Sequence, residues 1–155
     1  MNIIEPKERR DISENAKLNR IYTQFQNLVK ELRERELPDK IIETVNKDTE
    51  ELNSTSFVGK ELRKLTTKKQ AKILSLLKKE LKIVPKNHYK TLWLILGMSV
   101  FGLPFGLIYG MLIGKIGSSL GIGVGPGMII GTLLGAGMDK KAFKEGRQLG
   151  VEIKY

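Results

Sequence analysis

Residue types that commonly carry out catalysis are sparse in this sequence of 155 residues. Cysteine is absent, which excludes thiolate nucleophiles, disulfide bonds and thiolate metal sites. His88 is the single histidine, and the adjacent carboxylates Glu50 and Glu51 have no histidine near them in sequence to complete a metal or nucleophile site. We therefore expect no enzyme activity, no cofactor and no metal. His88 is interpreted as an interfacial residue, with a pH sensor as the alternative.

Two glycine-rich runs invite comparison with phosphate-binding loops. The run GIGVGPG, at residues 121–127, fits the dinucleotide pattern G-x-G-x-x-G poorly and follows no predicted strand. Neither run ends in the lysine–serine or lysine–threonine pair of a phosphate loop. The glycines therefore need an explanation other than nucleotide binding.

The spacing of the glycines predicts helix packing. A separation of four residues advances a side chain by only about 40° around an α-helix, so such glycines form one narrow groove. Glycine costs about 1 kcal/mol relative to alanine in a helix, and close approach of a second helix is the usual compensation in a membrane. The predicted helix-packing residues are Gly102, Gly106, Gly110, Gly114, Gly123, Gly127, Gly131 and Gly135.

These glycines lie in two long uncharged segments. Residues 92–114 and 116–138 are each 23 residues without a formal charge, and a bilayer span needs about 20. The sequence predicts a transmembrane hairpin with spans at about 92–114 and 118–138. Pro104 should kink the first span, and Pro126 should kink a second helix that starts near Ser119. A re-entrant half-helix beginning at Pro126 is the alternative.

The charge of the chain is concentrated beside these segments. Of the formal net charge of +10, residues 60–90 hold 11 basic and 2 acidic side chains. The stretch after the second span carries Lys140, Lys141, Lys144 and Arg147, whereas Lys115 is the only charge between the spans. The positive-inside rule then predicts that both termini are cytoplasmic. Nucleic acid is a second, less favoured reading of this basic composition, and we expect none to bind.

The basic stretch before the hairpin has the pattern of an amphipathic helix, with Ile73, Leu74, Leu77, Leu81 and Val84 on one face. Lysines around the remaining surface suit anionic lipid headgroups. The alternative is a helix that packs its apolar face while its lysines are simply solvated. The predicted headgroup contacts are Lys68, Lys69, Lys72, Lys78, Lys79, Lys82, Lys86, Lys90 and Trp93.

The first 90 residues are predicted to form a cytoplasmic helical region within an all-α chain. Ser13 or Asn15 caps a helix over about 13–35, and a second helix follows Pro38 to about Leu52. A short helix at about 58–65 precedes the basic helix, which Thr67 caps. The predicted domains are 1–90, the hairpin 91–138 and a cytoplasmic tail 139–155, whose last five residues are expected to dock on the soluble helices.

The end of the chain, GLPFGLIYGMLIGKIG…GIGVGPGMIIGTLLGAGMDKKAFKEGRQ, resembles the small bacterial glycine-zipper membrane proteins, most of which have no assigned function. The resemblance covers about 60 to 70 residues and leaves the first 85 outside. It implies a multi-pass protein of the bacterial inner membrane and brings no catalytic residue.

These features favour an integral membrane protein whose cytoplasmic helices act as an interaction or scaffold module. The expected partners are the lipid bilayer with its anionic headgroups, a second copy of the chain in a homo-oligomer, and a cytoplasmic protein. The alternative function is an oligomeric pore, in which hairpins assemble through Gly102, Gly106, Gly110 and Gly114. Ser118, Ser119 and Thr132 would be the few polar groups near its lumen.

Overall fold

The computed structural model describes residues 2–9, 12 and 15–153, and these residues form helices, turns and extended segments without a strand. The predicted all-helical fold is confirmed for them. The chain divides into two compact units, Met1–Pro85 with Leu149–Tyr155, and Lys86–Gln148. We call the first the bundle unit and the second the hairpin unit. These boundaries differ from the predicted ones because residues 149–155 belong to the bundle unit.

The described residues of the bundle unit form three α-helices: α1 (Ala16–Arg33), α2 (Asp39–Ser54) and α3 (Gly59–Leu81). The Asn15 side chain caps α1 by accepting the N–H groups of Lys17 and Leu18, at 3.0 and 3.1 Å. The other candidate cap, Ser13, lies outside the described residues. Pro38 stands immediately before α2, where its missing N–H costs no helical hydrogen bond.

Helix α3 is longer than the sequence predicts. Instead of a short helix followed by a basic helix capped by Thr67, one helix runs from Gly59 to Leu81. The Thr67 hydroxyl donates to the carbonyl of Arg63, 2.9 Å away, within the same helix. A threonine bonded in this way can sit inside a helix, so nothing ends the helix at this position.

The three helices bury one apolar core, and residues 149–153 lie against it. Leu149 is buried, and its N–H donates to the Val84 carbonyl at 2.8 Å. The Glu31 carboxylate accepts the N–H groups of Gly150 and Val151, at 2.8 and 3.2 Å. The fully buried core side chains of the helices include Leu18, Phe25, Leu28, Val29, Leu32, Val45, Leu52, Leu62, Ile73 and Leu77.

The hairpin unit consists of two antiparallel arms. Its first arm, His88–Ile113, comprises α4 (His88–Leu96), a π-helical turn (Gly97–Gly102) and α5 (Leu103–Ile113). Its second arm is α6 (Ile116–Lys144), and Gly114 and Lys115 connect the two. Because α6 continues through Pro126, it is about 43 Å long, and the re-entrant half-helix is not formed.

Among the described residues, two helical segments are long and apolar enough to cross a membrane, His88–Ile113 and Gly121–Lys144. In the most apolar 18-residue stretch of each segment, only 17% and 22% of the residues are buried. The core helices of a soluble protein are mostly buried. The exposed side chains include Ile95, Val100, Phe105, Ile108, Met111, Leu112, Ile122, Ile129, Leu133 and Phe143.

Candidate functional site

The two arms of the hairpin meet along a row of small residues on α6. Every fourth residue of α6 from Ser119 to Asp139 is buried, and none of the residues between them whose burial is described is. The four members between these ends are Gly123, Gly127, Gly131 and Gly135. Both α4 and α5 pack along this helix. The row therefore forms the interface between the arms, which we call the glycine interface.

Backbone atoms of the first arm occupy the space that side chains would need. A Cβ atom added to Gly123 would lie 2.7 Å from the Cα atom of Gly106, and one added to Gly127 would lie 2.7 Å from the Gly102 nitrogen. At the other end, a Cβ on Gly135 would lie 2.6 Å from the Cα atom of Lys90. Real Cβ atoms do not approach backbone this closely. Glycine at these positions is what permits the contact between the two backbones.

On the first arm, the glycine interface includes a residue that the spacing rule misses. Gly97 is buried, and a Cβ there would lie 2.9 Å from the Cα atom of Gly131. Gly97 precedes Gly102 by five residues, which in an α-helix would turn it about 140° away. The π-helical turn takes up the additional residue, with the N–H of Leu103 donating to the carbonyl of Met98, five residues back.

Of the remaining predicted packing residues, Gly110 is buried and Gly114 is not. Gly114 has a φ of +68° and ends α5, with nothing within 4 Å of an added Cβ. Its role is the left-handed conformation at the end of a helix, which glycine adopts without steric cost. The prediction that Gly114 packs against the other arm is therefore wrong.

The carboxylate of Asp139 caps the first arm. It accepts the backbone N–H of Tyr89 at 3.1 Å and that of Lys90 at 2.9 Å, at the start of α4. Asn87 precedes α4 but makes no side-chain capping bond. Asp139 therefore satisfies the free N–H groups of a helix that lies 49 residues away in sequence. The side-chain amide of Gln148 also donates to this carboxylate.

Trp93 and two of the predicted headgroup lysines lie at the same end of the hairpin. The Trp93 ring N–H donates to the sulfur of Met138 at 2.9 Å, and the tryptophan side chain is half-buried. Lys86 and Lys90 are exposed. An aromatic residue flanked by exposed lysines matches the composition of a membrane–water interface.

The lysines of α3 fall into two groups. Lys68, Lys78, Lys79 and the helix-ending Lys82 are exposed. The side chain of Lys69 is only 11% exposed, and its ammonium group binds Asp48 at 3.0 Å and also contacts Glu51. Lys72 is partly exposed and binds the same oxygen of Asp48 at 2.9 Å. Lys69 therefore cannot face a lipid headgroup, since it stabilises the contact between α2 and α3.

Burial lowers the pKa of Lys69, but hydrogen bonds to Glu51 and Asp48 and their negative charges outweigh this effect. The net result is a pKa above the ordinary value of 10.5. Lys69 is therefore charged in the folded bundle unit at neutral pH.

No group of three or more His, Asp or Glu side chains within residues 2–9, 12 and 15–153 is arranged to hold a metal ion. The described contacts between the arms of the hairpin unit include backbone packing at glycines and helix capping by Asp139. No protein-family model, curated protein or solved structure matches this chain.

Proposed function

We propose that this chain is an integral membrane protein, in which the hairpin unit anchors the bundle unit as a cytoplasmic interaction or scaffold module. The observation that carries the proposal is the distribution of side chains on the hairpin. Its inner face is closed by backbone contacts between glycines, and its outer face presents large apolar side chains. An apolar surface of this extent on a soluble protein would drive association, whereas a bilayer solvates it directly.

The type of packing also supports a lipid environment. Since lipid chains are as apolar as leucine, helices in a membrane gain little from the hydrophobic effect and associate through close contact over small residues. The buried glycines of α6 make this kind of contact with Gly97, Gly102 and Gly106. A water-soluble helical pair of this length would instead bury large apolar side chains, which here point outward.

The lysines support an orientation with both termini in the cytoplasm and the Gly114–Lys115 connection outside. Exposed lysines on either side of Pro85, among them Lys79, Lys82, Lys86 and Lys90, would contact anionic headgroups, with Trp93 at the interface. Location in a bacterial inner membrane follows from the resemblance of the hairpin sequence alone. Self-association and a cytoplasmic protein partner, without nucleic acid, complete this proposal.

The alternative of a pore has weaker support. A ring built through Gly102 and Gly106 needs these glycines to face neighbouring hairpins, yet both already contact α6 of the same chain. The Ser119 hydroxyl, one of the polar groups available to a lumen, donates to the Lys115 carbonyl at 2.6 Å. We therefore favour the anchored module.

Labelling of single cysteines tests the proposed topology, and the absence of native cysteine makes the experiment direct. In bacterial cells expressing the protein, a membrane-impermeant maleimide should label Lys115→Cys from outside. Glu43→Cys, on the exposed surface of α2, should react only after the membrane is permeabilised. Labelling of both positions from the same side, or release of the protein by an alkaline carbonate wash, would refute the spanning hairpin.

A further inference from the structure

Residues 2–7 lie beside α2, outside any helix or strand, and are held there by two asparagine side chains. The Asn46 side-chain amide accepts the N–H of Ile4 at 2.8 Å and donates to the carbonyl of Asn2 at 3.1 Å. The Asn53 amide repeats this pattern, accepting the N–H of Lys7 at 2.8 Å and donating to the carbonyl of Glu5 at 3.0 Å. Each asparagine side chain therefore accepts one main-chain N–H and donates to one main-chain carbonyl, as the backbone of a neighbouring β-strand would.

The two sets of hydrogen bonds repeat with matching lengths. Asn46 and Asn53 are seven residues apart, so they lie two helical turns and about 10.5 Å from each other along α2. The groups that they bind are three residues apart in the segment, and three residues span about 10 Å only when the chain is extended. The match of the two lengths therefore indicates an extended segment. Two asparagines at this separation on a helix can therefore each bind main-chain groups of the same extended chain.

Side chains also hold the segment in place. Glu5 forms an ion pair with Arg33, and Arg9, two residues beyond the segment, donates to the carbonyls of Thr55 and Phe57. Ile3 is buried in the core of the bundle unit, whereas Asn2, Glu5 and Lys7 are exposed. Pro6 has no N–H to donate, and neither asparagine reads that position. The hydroxyl of Tyr22 adds a further main-chain contact, donating to the carbonyl of Lys7 at 2.8 Å.

We propose that this face of α2 is a binding site for an extended peptide segment of a partner protein, and that residues 2–7 occupy it in cis. The ligand is an extended segment with one aliphatic side chain at the place of Ile3 and free N–H groups one and four residues later. This proposal deepens the proposed function and rests on its interaction module. It concerns the bundle unit alone, and so its test does not depend on how the hairpin meets the membrane.

Residues 2–7 and a partner segment would bind to α2 through the same main-chain groups. The contacts with Asn46 and Asn53 are hydrogen bonds to main-chain groups, which every extended peptide carries, so a partner segment replaces these one for one. To match the remaining contacts, the partner segment needs an aliphatic side chain in place of Ile3 and an acidic one in place of Glu5, which pairs with Arg33. The segment in cis lowers the apparent affinity for a partner by the fraction of time for which it fills the site. Residues 2–7 thus resemble the proposed ligand and compete with it for the same site.

The test uses a fluorescent synthetic peptide of residues 2–9 and the purified chain in detergent, with residues 2–9 deleted. We expect saturable binding, followed by fluorescence anisotropy, that is at least tenfold tighter than binding to the intact chain. Asn46→Leu and Asn53→Leu should each weaken it at least tenfold. The matched control, Glu50→Leu, places the same side chain on an exposed part of α2 and should leave binding unchanged.

Modified peptides distinguish binding through main-chain hydrogen bonds from non-specific binding. Methylation of the backbone nitrogens of Ile4 and Lys7 removes the two donated hydrogens and should abolish binding, whereas methylation at Glu5 should not. If the shortened chain does not fold, excess peptide is added to the intact chain, where it should speed amide exchange at Ile4 and Lys7. A folded shortened chain that ignores the peptide, or equal binding of all methylated forms, would overturn the proposal, as would unchanged exchange in the intact chain.

Discussion

At the scale of single residues, Asp139 has a role that its type alone does not suggest. An acidic residue after an apolar run is ordinarily read as the point where the chain leaves the membrane. Here its carboxylate is buried and binds two N–H groups at the start of the opposite arm. The negative charge also lies at the positive end of the α4 dipole, which adds to the attraction. One side chain thus fixes the register of the two arms at the base of the hairpin.

Replacement of Asp139 by alanine should loosen this end of the hairpin. Loss of a helix-capping side chain costs about 0.5–2 kcal/mol, and we expect amide exchange at Tyr89 and Lys90 to accelerate accordingly. Asp139→Asn, which keeps an acceptor oxygen, should restore most of the protection. Hydrogen exchange in micelles measures both variants. Equal protection in wild type and Asp139→Ala would show that the cap contributes nothing.

At the scale of the element, the glycines of α6 divide into two classes that the sequence does not separate. Gly123, Gly127, Gly131 and Gly135 touch the backbone of the first arm, whereas Gly117, Gly121, Gly125 and Gly137 have nothing within 4 Å of an added Cβ. Both classes contain glycines spaced four apart, so spacing does not reveal which row meets the other arm. Glycines that do not contact the first arm therefore serve as mutational controls, within the same helix, for those that do.

Alanine at Gly127 and at Gly125 should therefore have opposite effects. A methyl group at Gly127 would press on the backbone of Gly102, and such overpacking typically costs about 1–3 kcal/mol. A methyl group at Gly125 meets open space, and alanine is the better helix former, so stability should stay equal or rise.

Trp93, the single tryptophan, provides the readout because a Cβ on Gly131 would lie 2.8 Å from its carbonyl carbon. Its fluorescence should change at a lower SDS fraction in Gly127→Ala than in wild type or Gly125→Ala. Identical transitions for the two variants would contradict the assignment of Gly127 to the glycine interface.

At the scale of the whole molecule, the two units are stabilised by different interactions. The hairpin unit relies on backbone contact and on the Asp139 cap, whereas the bundle unit combines an apolar core with the buried ion pair of Lys69 and Asp48. The pKa of Lys69 is raised in the folded state. The stabilisation that this shift represents is present below the ordinary pKa of 10.5 and is lost as pH rises through the higher pKa of the folded state.

We therefore expect alkaline pH, above about 10.5, to destabilise the bundle unit before the hairpin unit. The protection factors of the α3 amides, which correct for the base-catalysed rise in intrinsic exchange, should fall in this range while Trp93 fluorescence stays constant. Lys69→Met leaves Asp48 buried with one fewer partner and should cost about 3 kcal/mol at neutral pH. Lys68→Met, at an exposed neighbouring position, should change stability by less than about 0.5 kcal/mol. A bundle unit whose protection factors are independent of pH up to 12 would argue against this account.

Much of the architecture is predictable because it depends on local pattern. The uncharged segments predict two long apolar helices, which the structure confirms. Periodic apolar residues predict α1 and α2, and Asn15 is recognisable as a cap from its residue type. The start of α3 does not follow from the sequence in the same way, since Thr67 is compatible with either a cap or a helix interior.

The partners of individual side chains depend on the tertiary structure. Gly97 enters the glycine interface only through the π-helical turn, Gly114 leaves it by ending α5, and Lys69 turns inward because Asp48 and Glu51 lie on the facing helix. None of these outcomes follows from the periodicity of a single helix. Residue type and spacing determine which surfaces a helix can offer, whereas the register between helices determines which surface is used, because that choice depends on atoms distant in sequence.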